Sequence, residues 1–233
     1  INKEDHIDDW IRMIVTNRLT GHSNGFLSVY TLPPNQAISQ EGQIKINKKK
    51  KQFPLYRNIN EIIIKKSISL TKKIDNDYFS LNSEFYNDDA RNTQYISSES
   101  IQLTITSPPF LDIVQYGKDN WLRCWFNDID HHKVSNRITM VNNIKDWCEI
   151  MMDVFHELYR ITRKSGYVAF EVGEIKAGTI KLDEYIVPIG IKAGFNCIGI
   201  IINKQNFNKT SNIWGIKNNN KGTNTNRIVL FEK

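Results

Sequence analysis

The sequence predicts an α/β fold: an open sheet that ends in an antiparallel hairpin. Three observations carry this expectation. Short apolar runs of strand length recur at Ile101 to Thr106, Tyr167 to Val172, Phe195 to Ile202 and Arg227 to Phe231. Two segments of helical period, Ile144 to Thr162 and Leu182 to Ala193, fall between them, and strand alternating with helix is the pattern of an open α/β sheet. The last two strands follow one another through a long polar segment, Asn203 to Asn226, a loop that is either functional or a polar hairpin connection.

The 233 residues, 40% hydrophobic and 24% charged, suit one domain, or one domain with a large insertion. No apolar run approaches the roughly 18 residues that span a bilayer. Ile1 to Trp10 is acidic and polar, unlike a signal peptide. Cys124, Cys148 and Cys197 are odd in number and far apart, which fits a reducing cytoplasm and gives no zinc spacing.

The elements follow in order. Ile7 to Leu19 places Trp10, Ile11, Ile14, Val15 and Leu19 at helical spacing, with Asp8 and Asp9 in the first turn. Thr20 to Gly25 is a loop by composition, and Phe26 to Leu32 is an apolar stretch ended by Pro33-Pro34. Ile59 to Leu70 predicts a helix carrying basic residues. Asn76 to Asn82 is turn-like, and Glu84 to Tyr86 predicts a short strand leading to Asp88-Asp89. In Ile144 to Thr162, Trp147, Ile150, Met151, Val154, Phe155, Leu158 and Tyr159 form one stripe. Gly166 is expected to stop that helix, and Gly194 the helix over Leu182 to Ala193. The strand Tyr167 to Val172 ends at Gly173. Residues 1–75 read as a helical, basic insertion or cap, and 76–233 as the core.

The formal net charge of +6 is unevenly placed. Ile44 to Lys73 holds ten Lys and Arg against one acid, Glu61. Such a block suggests an anionic partner, most simply nucleic acid, with Lys48, Lys49, Lys50, Lys51 and Arg57 as candidate contacts. The other reading is a solvated, lysine-rich face. In the long segment before the last strand, Asn224 and Arg227 suit hydrogen bonds to phosphate or base edges. A polar hairpin loop is the alternative there. His22 in its loop, and Tyr116 and Asp119 after the prolines, are further candidates. Trp121 and Trp125 read as core. His131-His132 reads as a polar loop, and neither this pair nor His156 has metal-ligand spacing.

Ser107-Pro108-Pro109-Phe110 stands where the strand Ile101 to Thr106 must end. Ligands bind beyond the carboxyl ends of strands in such sheets. Proline keeps its carbonyl but has no N–H, so Pro-Pro makes a stiff turn edged with acceptors and free of competing donors. Ser107 adds an acceptor and Phe110 a flat apolar face. Together they describe a pocket for a planar group bearing an NH₂, such as the exocyclic amine of cytosine or adenine. Such a base must be flipped out of a duplex to reach it. The same residues also suit a strand-ending turn with a packed Phe.

These segments resemble the S-adenosylmethionine-dependent DNA methyltransferases that act on exocyclic amines. Ser107-Pro108-Pro109-Phe110 is similar to their catalytic motif, in the Ser-first form associated with cytosine N4 rather than adenine N6. Asn87-Asp88-Asp89-Ala90-Arg91 is similar to their preceding cofactor-side motif, with Asp89 and Ala90 beside the cofactor adenine. Tyr167 to Glu174 resembles the next strand and its cleft loop, which includes Gly173. Segments Asn17 to Ser39 and Lys209 to Phe231 resemble one bacterial subgroup of site-specific enzymes. The resemblance implies a Rossmann-like class I methyltransferase sheet, S-adenosyl-L-methionine as cofactor, DNA as partner and a restriction–modification setting. The family's Gly-rich cofactor loop has no counterpart, since no G-x-G occurs here. With Ile1 in place of an initiator methionine, the expectation is a C-terminal part that lacks the first strands, with an upstream polypeptide supplying that loop. A non-catalytic DNA-binding subunit, or an enzyme acting on RNA or a protein amide, are the alternatives.

Overall fold

A computed structural model describes residues 5–21, 23–29, 39–72, 83–109, 117, 120–138, 141, 143–175, 179–204 and 225–233. The chain divides into two units, residues 1–84 with 115–138, and residues 85–114 with 139–233.

The first unit contains five helices among the described residues: α1 (His6–Arg18), α2 (Gln40–Lys50), α3 (Ile59–Thr71), α4 (Trp121–Phe126) and α5 (His131–Arg137). Asp5 caps α1 by accepting the Ile7 N–H at 2.8 Å. The stripe expected there buries Ile14 and Val15. The Trp10 indole donates to Ser67 Oγ at 2.9 Å and ties α1 to α3. Asn127 Nδ2 donates to Thr16 Oγ1 at 3.0 Å, just past the end of α4. Helix α2 lies inside the basic block and buries nothing, so no apolar stripe announced it. Ser39 caps its start and Lys51 ends it in the left-handed region. His131-His132 opens a helix rather than a loop, because Asp130 accepts from the His132 and Lys133 N–H groups. Trp125 is not core: it is 70% exposed, on the outer side of a helix too short to bury two faces.

The second unit is organised by α6 (Ile144–Ile161), which buries Trp147, Met151, Val154, Phe155, Leu158 and Ile161 along one side. Its stripe covers one face of a four-stranded sheet of order β1-β2-β6-β5. Strand β1 (Ile101–Thr106) runs parallel to β2 (Thr162–Val172), and β6 (Thr225–Glu232) runs antiparallel to both β2 and β5 (Asn196–Lys204). A separate hairpin pairs β3 (Glu174–Ile175) with β4 (Ile180–Lys181). Helix α7 (Asp183–Ala193) shares the covered face. There Phe155 meets Phe170 and Phe231 at centroid distances of 4.9 and 5.2 Å. Such tilted ring pairs add to the burial of Val168, Val172 and Val229. The strands' alternation turns Leu103, Ile105 and Ile201 to the opposite face, where they are exposed.

The α/β class and the antiparallel end of the sheet are as expected, and β1 has the expected bounds. Gly194 ends α7 with φ of 113°, as the sequence suggests. Gly166 does not end α6. That helix stops at Ile161, Thr162 is already extended, and Gly166 lies within β2. Its glycine serves close approach instead: a Cβ there would lie 2.8 Å from the Arg163 carbonyl oxygen. Glu84 to Tyr86 forms no strand; Phe85 is 94% exposed, and Tyr86 stacks on the Tyr95 ring at a centroid distance of 5.4 Å in place of a strand ladder.

Gly190, on α7, faces the ring of Phe231, and a Cβ there would sit 2.2 Å from Cε1. Gly190→Ala is expected to destabilise the protein by about 1–3 kcal/mol through overpacking, measured by urea unfolding.

Candidate active site

The loop before β1 is held by one charged cluster. Glu157 is buried on α6, with Arg160 one turn on. Glu157 Oε1 accepts the Thr93 N–H at 2.6 Å and the Thr93 hydroxyl at 2.7 Å. Arg160 donates through Nε to Glu157 Oε2 at 2.8 Å and through Nη2 to Oε1 at 2.7 Å. The same guanidinium donates to the Thr93 and Ile96 carbonyls and to Ser98 Oγ. The backbone then crosses to β1 through bonds from the Glu99 and Ser100 N–H groups to the Arg160 and Ile161 carbonyls. Arg160's hydrogen bonds, with those of Thr93, hold the Glu157 carboxyl down at about 2.

This arrangement brings two distant segments onto one cavity of about 460 Å³. Ser107, Pro108 and Pro109 line it at the carboxyl end of β1, and Ala90 and Thr93 line it from the preceding loop. Ser107 is exposed and Pro108 half-buried. The inner wall is apolar, built from Met151, Val154, Leu158 and Phe170. Among the described residues β1 is an edge strand, so the cavity runs along its length rather than only beyond its end.

The other expected residues are placed as follows. Asp89 is exposed and does not line the cavity; its carboxylate receives Arg91 Nε at 3.0 Å and Nη2 at 2.6 Å. Gly173 follows β2, whose parallel register with β1 brings it to the same end of the sheet as Ser107. Phe110 and Asn224 lie outside the described residues, as do His22, Tyr116 and Asp119. Lys48, Lys49, Lys50 and Lys51 are exposed at the end of α2. Arg57 is half-buried and donates to Asn24 Oδ1 at 3.1 Å.

Arg227 is turned inward. It donates to Glu174 Oε1 at 2.6 Å and to Asp183 Oδ2 at 3.1 Å, and its side chain is 12% exposed. That placement withdraws it from phosphate, because two carboxylates engage its donors. The pairing joins the start of β6 to the β3 hairpin and α7, and no spacing in the sequence reveals it. Thr93, Glu157 and Arg160 were likewise unforeseen. Their one signal was a carboxylate beside an apolar stripe with an arginine three residues on. No helix among the described residues is long and apolar enough to cross a membrane, and none of their His, Cys, Asp and Glu side chains group as metal ligands.

No protein-family profile matches the chain, and no curated protein matches it. Solved structures do. TTHA0409 of Thermus thermophilus, provisionally described as a DNA modification methylase, is similar over 62% of this chain and 53% of its own in its complex with S-adenosyl-L-methionine. That pair shares 17% identity with a TM-score of 0.40. Its selenomethionine form shares 20% identity, with a TM-score of 0.38 and 50% of its length covered. The match thus spans about half the length of that protein. At these values the likeness is partial, and the functional reading rests on this chain's own residues.

Two outcomes are expected of this geometry. Glu157 has a folded pKa of about 2 against an ordinary 4.5, so its contribution is complete above the ordinary value and lost as pH falls towards 2. Unfolding free energy measured from neutral pH downward should show on the order of 2–3 kcal/mol of such loss, absent in Glu157→Gln. Arg227→Gln leaves Glu174 and Asp183 buried without their cation and should cost about 3 kcal/mol or more by urea unfolding, whereas Lys48→Gln should change stability by less than about 0.5 kcal/mol.

Proposed function

We propose that the chain belongs to a DNA methyltransferase that moves a methyl group from S-adenosyl-L-methionine to an exocyclic base amine, cytosine N4 in preference to adenine N6. One observation carries the reading: Ser107-Pro108-Pro109 and Ala90, from segments that separately resemble the catalytic and cofactor motifs, line the same cavity. Its volume lies within the range of small-molecule sites, about 300–1,000 Å³. Ala90 and Thr93 suit the adenosyl half of the cofactor, with Gly173 on the cleft side; Asp89, next to Ala90 but paired with Arg91, would have to give up that pair to meet the adenine amine. The chain has no G-x-G, so the methionine half needs a Gly-rich loop from an upstream polypeptide.

When bound, the cofactor supplies an electrophilic methyl on a sulfonium. The protein's own work is to hold the nucleophile. A base amine is a weak nucleophile because its lone pair is delocalised into the ring. The Ser107 hydroxyl and the Pro108 carbonyl, accepting its two N–H bonds, favour a pyramidal nitrogen and stabilise the positive charge that develops there. Proline at both following positions leaves no backbone donor to compete. Phe110 stacks on the base. The gain is orientation and electrostatics, with the base flipped from its duplex. Lys48 to Lys51 and Arg57 supply cations for the DNA backbone. The reading brings with it a cytoplasmic, site-specific enzyme of the restriction–modification kind.

The absent Gly-rich loop favours a second reading, a DNA-binding subunit that does not transfer methyl groups. Methylation of duplex DNA with labelled S-adenosylmethionine separates the two. Transfer to cytosine N4 is expected when the product of the adjacent upstream coding region is added; DNA binding without transfer under any condition would support the subunit instead. Ser107→Ala should lower turnover about a hundredfold while DNA affinity stays within about twofold. A large loss of affinity would count against the role given to Ser107.

A further inference from the structure

The first unit holds a second cavity, of about 540 Å³, between the end of α1, the loop at Asn24 and the start of α3. Arg18, Arg57, Lys65 and Lys66 line it, and Glu61 is the one carboxylate among the described lining residues. Glu61 lies 3.8 Å from Lys65 and accepts from Asn58 Nδ2 at 3.0 Å, so its charge is matched by Lys65. Arg18, Arg57 and Lys66 are half-buried around the same hollow. Arg57 gives one N–H to the neutral Asn24 side chain. Arg18 lies over the Phe26 ring at 4.8 Å, and its Nε is buried with no hydrogen-bond partner among the described residues.

Among the described residues Arg18, Arg57 and Lys66 exceed the one lining carboxylate, which Lys65 already meets, and partly desolvated cations in excess are unfavourable until an anion enters. Two guanidinium forks and an ammonium match a phosphate's several acceptor oxygens better than a single carboxylate. Tyr56 also lines the cavity and is 91% exposed, an aromatic face with no packing role. A ring beside a phosphate site is how single-stranded nucleic acid is gripped, with the base on the ring and the backbone on the cations. The volume admits a nucleotide.

We propose that this cavity is a phosphate-binding site for nucleic acid, in which Arg18, Arg57 and Lys66 hold one phosphate and Tyr56 stacks the adjoining unpaired base. The choice of nucleic acid rests on the reading above, but the site needs neither the cofactor nor methyl transfer. Lys48 to Lys51 do not line it; they belong to the solvated end of α2.

The test is fluorescence anisotropy of the full chain with labelled oligonucleotides, single-stranded and duplex, over a series of salt concentrations. No cofactor is present, so failure of methyl transfer cannot imitate failure of this site. The double variant Arg57→Gln, Lys66→Gln is expected to weaken single-strand binding about tenfold or more. It should also lower the slope of log affinity on log salt by roughly 0.7, one phosphate's worth. Ser69→Glu puts a negative charge in the cavity wall without removing a cation, and should act in the same direction if the double variant fails to fold. Tyr56→Leu should cost about tenfold on single strands and leave duplex binding unchanged. Equal affinity for oligonucleotides with and without a 5′-phosphate assigns the backbone phosphodiester; tighter binding of the phosphorylated form, with competition by inorganic phosphate, assigns a terminal phosphate. Wild-type affinity in Ser69→Glu, or a loss in Lys49→Gln as large as in the double variant, overturns the proposal.

Discussion

The ion pair between Glu157 and Arg160 is the constraint on which the candidate site depends. The loop from Ala90 to Ser98 has one apolar side chain packed against the core, Ile96, and its tyrosine is exposed. Hydrophobic burial alone would leave such a segment free to shift. The buried carboxylate and the guanidinium beside it instead take hold of Thr93, Ile96 and Ser98 through hydrogen bonds of 3.1 Å or shorter. Charged groups make the stronger hydrogen bonds, and a buried carboxylate without its partners would be costly, so the loop has one arrangement that satisfies every member. Because the anchor sits on α6, the rigid element beneath the sheet, Ala90 and Ser107 inherit a common frame.

The cavity that results divides its work between two kinds of wall. Apolar side chains of α6 and β2 form its floor, and the Ser-Pro-Pro turn supplies acceptors at its rim. The prolines matter twice. They end the pairing of β1 with its neighbour, and they leave carbonyls on stiff rings that bring no N–H of their own.

Arginine shows how little a residue type says without its neighbours. Arg227 lies between Glu174 and Asp183 and serves as an internal counter-charge. Arg160 meets a carboxylate and three loop acceptors and becomes a structural anchor. Arg57 and Arg18 meet a neutral amide and an aromatic ring, so their charge is left facing a cavity. The difference lies in which groups each guanidinium meets, and that is a property of the fold.

Local chemistry settled much of this in advance. The apolar period of Ile144 to Ile161, the bounds of β1 and the glycine after α7 could be read directly, because each reflects an interaction between residues near one another in the chain. The Ser-Pro-Pro turn was legible for the same reason: the prolines state where the strand ends and which backbone groups remain. Tertiary structure decided what local patterns leave open. It placed Gly166 within β2, where strand carbonyls of Arg163 and Ile101 leave no room for a Cβ, left Trp125 in solvent because its helix is short, and turned Arg227 inward. It also made Glu157 an anchor and placed Ala90 beside Ser107. Those outcomes depend on groups far apart in sequence that meet only once the sheet and its helices have packed, and pairing of that kind leaves no period to read.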